Sequence, residues 1–294
     1  MPSLKGIRSR IHSVKNTQKI TKAMKLVAAS RLRRAQDAMN AQRPYAKRLR
    51  DVIVDIIART EEAGETLHPL LQPRPAKKLR MLIVTSDRGL AGGYNSNLGR
   101  NVDRYLAEVK PNHEQIDMYV LGRKGREMFR RKGQTLVGEK PAATPPTAQA
   151  LASELAATLT KQFLDGEFDS LVLVFNEFKS AISQIVKIDP LLPLTGLAQK
   201  AHEGERNFID FEYEPSRAAI LETILPLYIE VELYRVLLEA IASEFGARMS
   251  AMDSATRNAK EMIGSLTLEY NRARQAAITK ELMEIVGGAE ALKG

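Results

Sequence analysis

The stretch that decides the fold runs from Ile224 to Ala277 and reads ILPLYIEVELYRVLLEAIASEFGARMSAMDSATRNAKEMIGSLTLEYNRARQAA. Apolar residues recur in it at alternating steps of four and three, the a/d pattern of a helix that pairs with another helix, over about seven heptads. The a positions are Ile224, Val231, Leu238, Phe245, Met252, Ala259, Leu266 and Ala273, and the d positions include Tyr228, Ala242, Met249, Ile263, Tyr270 and Ala277. A helix from Leu227 to Val286 would be about 90 Å long. No compact domain needs that length, so we expect the helix to pair with a partner or to reach out of its own domain.

The first fifty residues form a second helical segment, and they are strongly basic. They hold fourteen Lys and Arg side chains and one acid, Asp37, a net charge of +13; since the chain carries +9, the remainder carries −4. Helical spacing predicts one helix from about Ser3 to about Ala58, with Pro44 inside it. Its apolar positions include Ile7, Ile11, Val14, Ile20, Met24, Val27, Leu32, Ala35 and Met39.

Strand and helix patterns alternate between these two helices. Short apolar runs predict strands, and the stretches between them have helical spacing. The predicted strands are Leu79–Thr85, Ile116–Leu121, Gln134–Gly138 and Ser170–Asn176, with Ile182–Ile188 beside the last of them; the predicted helices are Ser96–Glu108, Arg123–Arg131 and Thr147–Leu164. Such alternation indicates an α/β domain with a mostly parallel, Rossmann-like sheet.

The domain plan that follows has four parts. They are an N-terminal coiled-coil helix (1–60), an α/β domain (76–200), an acidic connector (201–214) and a C-terminal coiled-coil helix (215–294) that Pro215 opens. Because the ends of a compact domain are usually close together, we expect the two long helices to pair as an antiparallel coiled coil. The second helix is the longer one, so its C-terminal end is expected to overhang.

Few residues suggest catalysis or cofactor binding. The chain has no cysteine, and His12, His68, His113 and His202 are dispersed, so no metal site is predicted. The sequence contains neither the phosphate-loop motif G-x-x-x-x-G-K-[ST] nor the dinucleotide-binding motif G-x-G-x-x-G. The turn with Gly89, Gly92 and Gly93 lacks the spacing of both motifs and is interpreted as a tight structural turn. No apolar run is long enough to span a membrane, and no cleaved presequence is expected. We therefore predict no catalytic residue and no cofactor.

Composition alone leaves the basic helix open to three interpretations. It could be a solvated face, a binding surface for nucleic acid, or a surface that meets an acidic protein. Against nucleic acid, the segment has one aromatic residue, Tyr45, and no motif that recognises DNA or RNA.

Several blocks of sequence resemble the gamma subunit of bacterial F-type ATP synthases, in the same order and over essentially the whole chain. The blocks are Ile7–Ile11, Asn16–Ser30, Arg43–Tyr45, Ser86–Asn95, Tyr213–Pro215, Ser243–Glu244, Ala247–Met249 and Tyr270–Leu282. The resemblance implies a rotor shaft that is not itself catalytic. Its paired helices would turn inside three alpha and three beta subunits, and the α/β domain would sit with the epsilon subunit on the membrane ring of c subunits. An inhibitory subunit is a further candidate partner.

The resemblance also implies which residues meet these partners. Arg274, Gln275 and Thr279 match residues that contact the catch loops of the surrounding subunits. Lys22, Met24 and Lys25 match the part of the first helix near an acidic lever of a beta subunit, and Lys25 is basic where some relatives carry an acid. Tyr213 and Glu214 match positions that face the c ring. The implied location is the cytoplasmic side of the cell inner membrane, reached only through the complex.

Two other functions compete with this one. A nucleotide-dependent α/β enzyme with helical extensions would bind ATP or NAD tightly, and the missing fingerprint counts against it. A basic coiled-coil adaptor for nucleic acid or an anionic membrane surface would bind in a strongly salt-dependent way. The net charge of −4 outside the first fifty residues counts against the adaptor.

Overall fold

The computed structural model describes residues 3–63, 66–75, 77–203, 213–214 and 216–291. Pro215 and most of the predicted acidic connector lie outside these residues. The chain divides into two compact units: the coil unit, Met1–Ala28 with Met249–Gly294, and the sheet unit, Ala29–Arg248. No helix in the described ranges is both long and apolar enough to cross a lipid bilayer.

Two long helices begin and end the fold, as the periodicity predicts. Helix α1 spans Leu4–Glu62 and continues through Pro44, and helix α6 spans Arg217–Ala291 and continues through Pro226. With 75 residues, α6 is about 110 Å long. Within each unit the segments of α1 and α6 pack antiparallel. Lys25 meets Asp253 in the coil unit, and Gln42 meets Val231 in the sheet unit.

A mixed five-stranded sheet is inserted between these helices. Its elements are β1 Lys78–Val84, α2 Tyr94–Val109, β2 Gln115–Leu121, α3 Arg123–Arg131, β3 Leu136–Lys140, α4 Ala148–Leu164, β4 Ser170–Phe178, β5 Gln184–Leu192 and α5 Thr195–Glu203. The strand order is β3-β2-β1-β4-β5, and only the β4–β5 pair is antiparallel. The inserted α/β fold is confirmed. Strand β3 begins two residues after the predicted start, and α5 was not predicted.

The core of the sheet unit lies where β1, β2 and β4 pack against α2 and α3. Met81, Ile83, Val120, Phe129 and Val174 are buried there. Alternating burial is absent from β1 and β4, which are buried along almost their whole length. Strands buried on both faces read as continuous apolar runs, which is why the sequence shows them so clearly.

The predicted seam of α6 is buried from Val231 to Leu266 at every a position. Between Leu221 and Arg248, however, α6 is also buried away from this seam, for example at Ile229, Leu233 and Leu237. The reason is that α6 packs on α1 on one side and on the sheet region on the other. Ser243 bonds to β4 and Tyr94 of α2 bonds to Ala240, so two faces of the helix are covered.

The predicted apolar stripe of α1 is only partly right in the coil unit, where Ile7 is buried and Ile11 and Val14 are half-buried. Ile20 and Val27 are more than half exposed, whereas Thr21 and Ala28 are buried. The buried heptad positions in this part of α1 therefore include polar residues, and Thr21 shares a hydrogen bond of 2.8 Å with Thr256 of α6. A polar residue at a core position fixes the register of a coiled coil. Because the seam passes through Thr21 and Ala28 here, Ile20 and Val27 lie about 100° around the helix from it, on an outward side of α1.

Candidate partner-contact surfaces

The C-terminal part of α6 has no cover among the described residues. Every described side chain from Ile278 to Gly288 is exposed. Large apolar side chains are among them, with exposed fractions of 50% for Ile278, 56% for Leu282 and 70% for Ile285. Monomeric proteins rarely expose contiguous apolar surface unless another molecule binds it. This segment, 278–288, is called the overhang below.

The three α6 residues implied by the resemblance lie close together, Arg274 and Gln275 just before the overhang and Thr279 within it. Arg274, Gln275 and Thr279 are all exposed on α6. Gln275 and Thr279 are one turn apart, and Arg274 stands one turn before Ile278, so the polar groups and the apolar side chain share one side of the helix. This side offers hydrogen-bond donors beside apolar surface.

The residues predicted on α1 lie on different sides of the helix. Lys22 is exposed and Met24 is half-buried, and Met24 lies between Ile20 and Val27 on the outward apolar stripe, at steps of four and three. Lys25 instead lies at the seam, where its ammonium pairs with the Asp253 carboxylate at 2.5 Å. The outward apolar stripe is therefore Ile20, Met24 and Val27, and Lys22 is exposed on another side of α1, because residues two positions apart do not face each other. The sequence pattern missed Ile20 and Val27 as surface residues because their spacing equals that of a core stripe.

The Lys25–Asp253 pair predicts a pH dependence of the coil unit. The hydrogen bond from Lys25 lowers the pKa of the Asp253 carboxyl below its ordinary value of 3.8. Because the pKa of Asp253 is lower in the folded state than in the unfolded state, the pair stabilises the folded state fully at pH values above the ordinary pKa. This stabilisation is lost as the pH falls through the pKa of the folded state. We expect Lys25→Met to raise the pKa of Asp253, measured by NMR titration of the carboxyl carbon. An identical titration in both proteins would contradict the pairing.

Tyr213 and Glu214, the predicted contacts at the foot, lie just before α6. The Tyr213 hydroxyl is 3.5 Å from the Asp55 carboxylate of α1, and the Arg217 guanidinium stands 5.4 Å from the centre of its ring. Burial raises the pKa of Tyr213 above its ordinary value. Glu214 is exposed. Tyr213 is thus held against the helix pair, while Glu214 points to solvent.

The glycine-rich turn packs against α6. Ala91 and Tyr94 lie in one buried cluster with Ala247. The carboxyl ends of β1 and β2, where α/β sheets bind ligands, are occupied by Asp87. Its carboxylate accepts hydrogen bonds from the backbone N–H of Arg123, at the start of α3, at 2.8 Å, and of Ala142, at 3.2 Å. A carboxylate of the chain itself thus takes the place of a ligand anion, which favours the structural interpretation of this turn.

Fold and surfaces together define a protein of two long terminal helices that pack together, with an inserted α/β domain and an exposed apolar helix end. A family model described as ATP synthase matches residues 3–292. A gamma chain of ATP synthase from Anaeromyxobacter sp. (strain Fw109-5) is 50% identical over 100% of both chains. The chain therefore belongs to the ATP synthase gamma chain family, whose members are non-catalytic subunits.

Solved structures agree with this assignment. The central stalk and c-ring structure of mitochondrial ATP synthase from Tetrahymena thermophila contains a chain that is 26% identical, with a TM-score of 0.57, over 80% of this chain and 99% of that one. A chain in the rotor of mitochondrial ATP synthase from Euglena gracilis shares the fold at 19% identity, with a TM-score of 0.65, over 94% of this chain and 98% of that one. The family role is that of the central-stalk rotor of F-type ATP synthase.

Proposed function

We propose that this chain turns as a shaft inside a ring of three alpha and three beta subunits. The α/β domain stands with an epsilon subunit on the ring of c subunits, and proton flow through that ring turns the shaft. Rotation then drives the catalytic sites of the beta subunits through ATP synthesis, or runs in reverse during hydrolysis. The chain is peripheral, on the cytoplasmic side of the inner membrane, and reaches the membrane only through the complex.

The exposed overhang is the observation that carries this proposal. A single helix of about a dozen residues is marginal in water, because most helical stability in proteins comes from tertiary packing. The overhang has no packing partner among the described residues, yet it carries Ile278, Leu282 and Ile285 as large apolar groups. A surrounding ring of subunits supplies the missing cover on all sides of the helix, which a partner on one face alone would not.

The coil unit offers two contact surfaces to that ring. On α1, Met24 with Ile20 and Val27 forms an apolar stripe suited to apolar side chains of a partner, and the exposed ammonium of Lys22, on another side of the helix, is suited to an acidic group. On α6, Arg274, Gln275 and Thr279 present directional donors suited to catch loops. Charge attraction acts before contact, so the basic α1 face biases each partner as it approaches.

Coupling requires that these contacts differ between orientations of the shaft. A shaft can shift an equilibrium among the catalytic sites only by the difference in its contact free energy with their states. The α1 stripe and the α6 donors are local features of the surface, so each meets one partner at a time. Rotation exchanges that partner for the next one.

Replacing Arg274 and Gln275 together by alanine is expected to lower ATP turnover of the assembled head about thirtyfold, since central polar contacts of an interface can cost about 2 kcal/mol or more. Steady-state hydrolysis by the purified complex measures this. Lys280→Ala is the matched control, because Lys280 is exposed on the opposite side of the same segment. Unchanged turnover in the double variant would remove both residues from the coupling contacts.

Native mass spectrometry of the chain purified from its host in mild detergent tests the assembly itself. The proposal expects one copy of the chain with three copies each of two larger subunits, in a particle that hydrolyses ATP. Recovery of the chain alone, or with nucleic acid, would contradict the proposal and favour the adaptor.

A further inference from the structure

One short segment of α6 is bonded to the sheet region by directed contacts. The Ser243 hydroxyl is fully buried and donates a hydrogen bond of 2.7 Å to the backbone carbonyl of Asn176 in β4. One turn earlier, the buried Tyr94 hydroxyl donates a bond of 3.2 Å to the carbonyl of Ala240. Both bonds join α6 to strand β4 and to the start of α2, in the middle of the inserted domain.

On one side of this segment the β4–β5 hairpin approaches α6 at Gly246. A Cβ atom on Gly246 would lie 3.1 Å from the ring of Phe178 and 3.3 Å from the backbone of Ala181. A glycine in a helix interior destabilises the helix relative to alanine. This close approach is the physical reason for tolerating it here.

On the other side Arg248 holds the loop that follows β1. One of its guanidinium nitrogens lies 3.3 Å from the carbonyl oxygen of Gly89 and 3.4 Å from that of Arg88. The side chain is 10% exposed and pairs with Glu244, one turn earlier, at 2.7 Å. Within the loop, Leu90 has a positive φ of 65°, a strained conformation for a non-glycine residue that persists only when its surroundings fix it.

The two side contacts lie on opposite sides of the helix. Gly246 and Arg248 are two positions apart, which is about 200° around an α-helix. The hairpin and the loop therefore contact α6 from opposite sides, and Ser243 faces the sheet between them. Apolar packing is non-directional and resists rotation of a helix about its axis only weakly. Hydrogen bonds of fixed direction and a close steric contact resist such rotation strongly.

We propose that the segment Ser243–Arg248 is the lock that transfers torque between the sheet region and α6, with Arg248 as its positioning residue. This inference rests on the proposed function, because it assumes that the α/β domain is turned by the c ring. The gamma fold needs α6 to be buried in the sheet unit, but it does not need a close steric contact and a hydrogen-bonded side chain on opposite sides of one helical segment. A helix that transmits torque without rotating relative to the sheet region needs both of these contacts.

The test compares Arg248→Ala, Arg248→Lys and the control Lys260→Ala in the complete membrane-bound complex. Lys260 is an exposed basic residue on α6 outside this segment. ATP hydrolysis and ATP-driven proton pumping are measured on the same vesicles. For Arg248→Ala we expect hydrolysis close to the control and a loss of protons pumped per ATP. Arg248→Lys keeps the charge but cannot bond to both carbonyls. The number of protons that it pumps per ATP should therefore lie between those of Arg248→Ala and the control.

Amide hydrogen exchange on the same complexes shows whether the loop has been released. Losing a hydrogen bond to a charged group typically costs more than 1.4 kcal/mol, so exchange in residues 86–90 should rise about tenfold or more in Arg248→Ala. Faster loop exchange with an unchanged ratio of protons to ATP in both Arg248 variants would overturn the lock. If the wild-type complex does not couple hydrolysis to pumping, the proposed function fails instead. If the Arg248→Ala complex does not assemble, the ratio of protons to ATP in Arg248→Lys alone tests the proposal.

Discussion

Replacing Arg80 by methionine is expected to destabilise the sheet unit by about 3–5 kcal/mol, because the change leaves the partner carboxylate buried without its counter-charge. Arg80 lies in β1 and Asp117 lies opposite it in β2, and both side chains are 5% exposed. Their charged groups are 3.4 Å apart, and the guanidinium also donates to Gln162 and stacks on Phe168, 4.5 Å from the ring centre.

Hydrogen exchange of peptides from β1 and β2 measures this effect best, since α1 and α6 dominate the circular dichroism of the chain. A loss of 3–5 kcal/mol corresponds to roughly a hundredfold or greater rise in the opening equilibrium. The double variant Arg80→Met with Asp117→Leu should recover most of the loss, because it removes both buried charges. If the single variant exchanges as slowly as wild type, the buried ion pair does not hold the two strands together.

Replacing Gly122 by alanine is expected to cost about 3 kcal/mol or more, through strain and a clash with backbone. Gly122 has a φ of +96°, and an added Cβ would lie 2.5 Å from the carbonyl oxygen of Thr85. Neither side can retreat easily: the N–H of Gly122 donates to Lys140, and the Thr85 hydroxyl donates to Leu121. The glycine thus lets the ends of β1 and β2 approach where Asp87 caps α3.

Gly133→Ala is the matched control for this change. Gly133 also has a positive φ, of +67°, but an added Cβ would meet nothing within 4 Å. It should therefore cost only the conformational strain, about 1–2 kcal/mol. Urea unfolding monitored by hydrogen exchange in β2 compares the two variants. Equal losses in both would show that the close contact at Gly122 contributes nothing.

How much of the fold the sequence predicts depends on whether the buried positions are apolar. The α6 seam and the strands of the sheet are apolar, and the patterns place them within a few residues. In the coil unit the α1 seam passes through Thr21 and Lys25, whose partners Thr256 and Asp253 lie more than two hundred positions away. No local pattern reveals such pairs, so the outward stripe of Ile20 and Val27 was assigned to the core instead.

The candidate surfaces likewise include features that the spacing of apolar residues predicts and features that it does not. Periodicity and helix length predict an overhang, and the exposed residues from Ile278 onward agree with it. The polar residues proposed to contact partners next to the overhang, Arg274 and Gln275, came from the resemblance and not from spacing. The Arg248 contacts were invisible, because a basic residue one turn after Glu244 resembles an ordinary surface pair on a helix. Only the fold brings the loop carbonyls of Arg88 and Gly89 within reach of it.

Single-molecule rotation tests the central claim most directly. The chain has no cysteine, so one introduced at the exposed residue Arg131 of α3 provides a unique attachment point in this chain for a bead, with the head fixed to glass. The account predicts that the bead turns in one direction when ATP is added, with pauses that follow the threefold symmetry of the ring. A bead that only fluctuates while the same complexes hydrolyse ATP would contradict the account, since the chain would then not be the shaft.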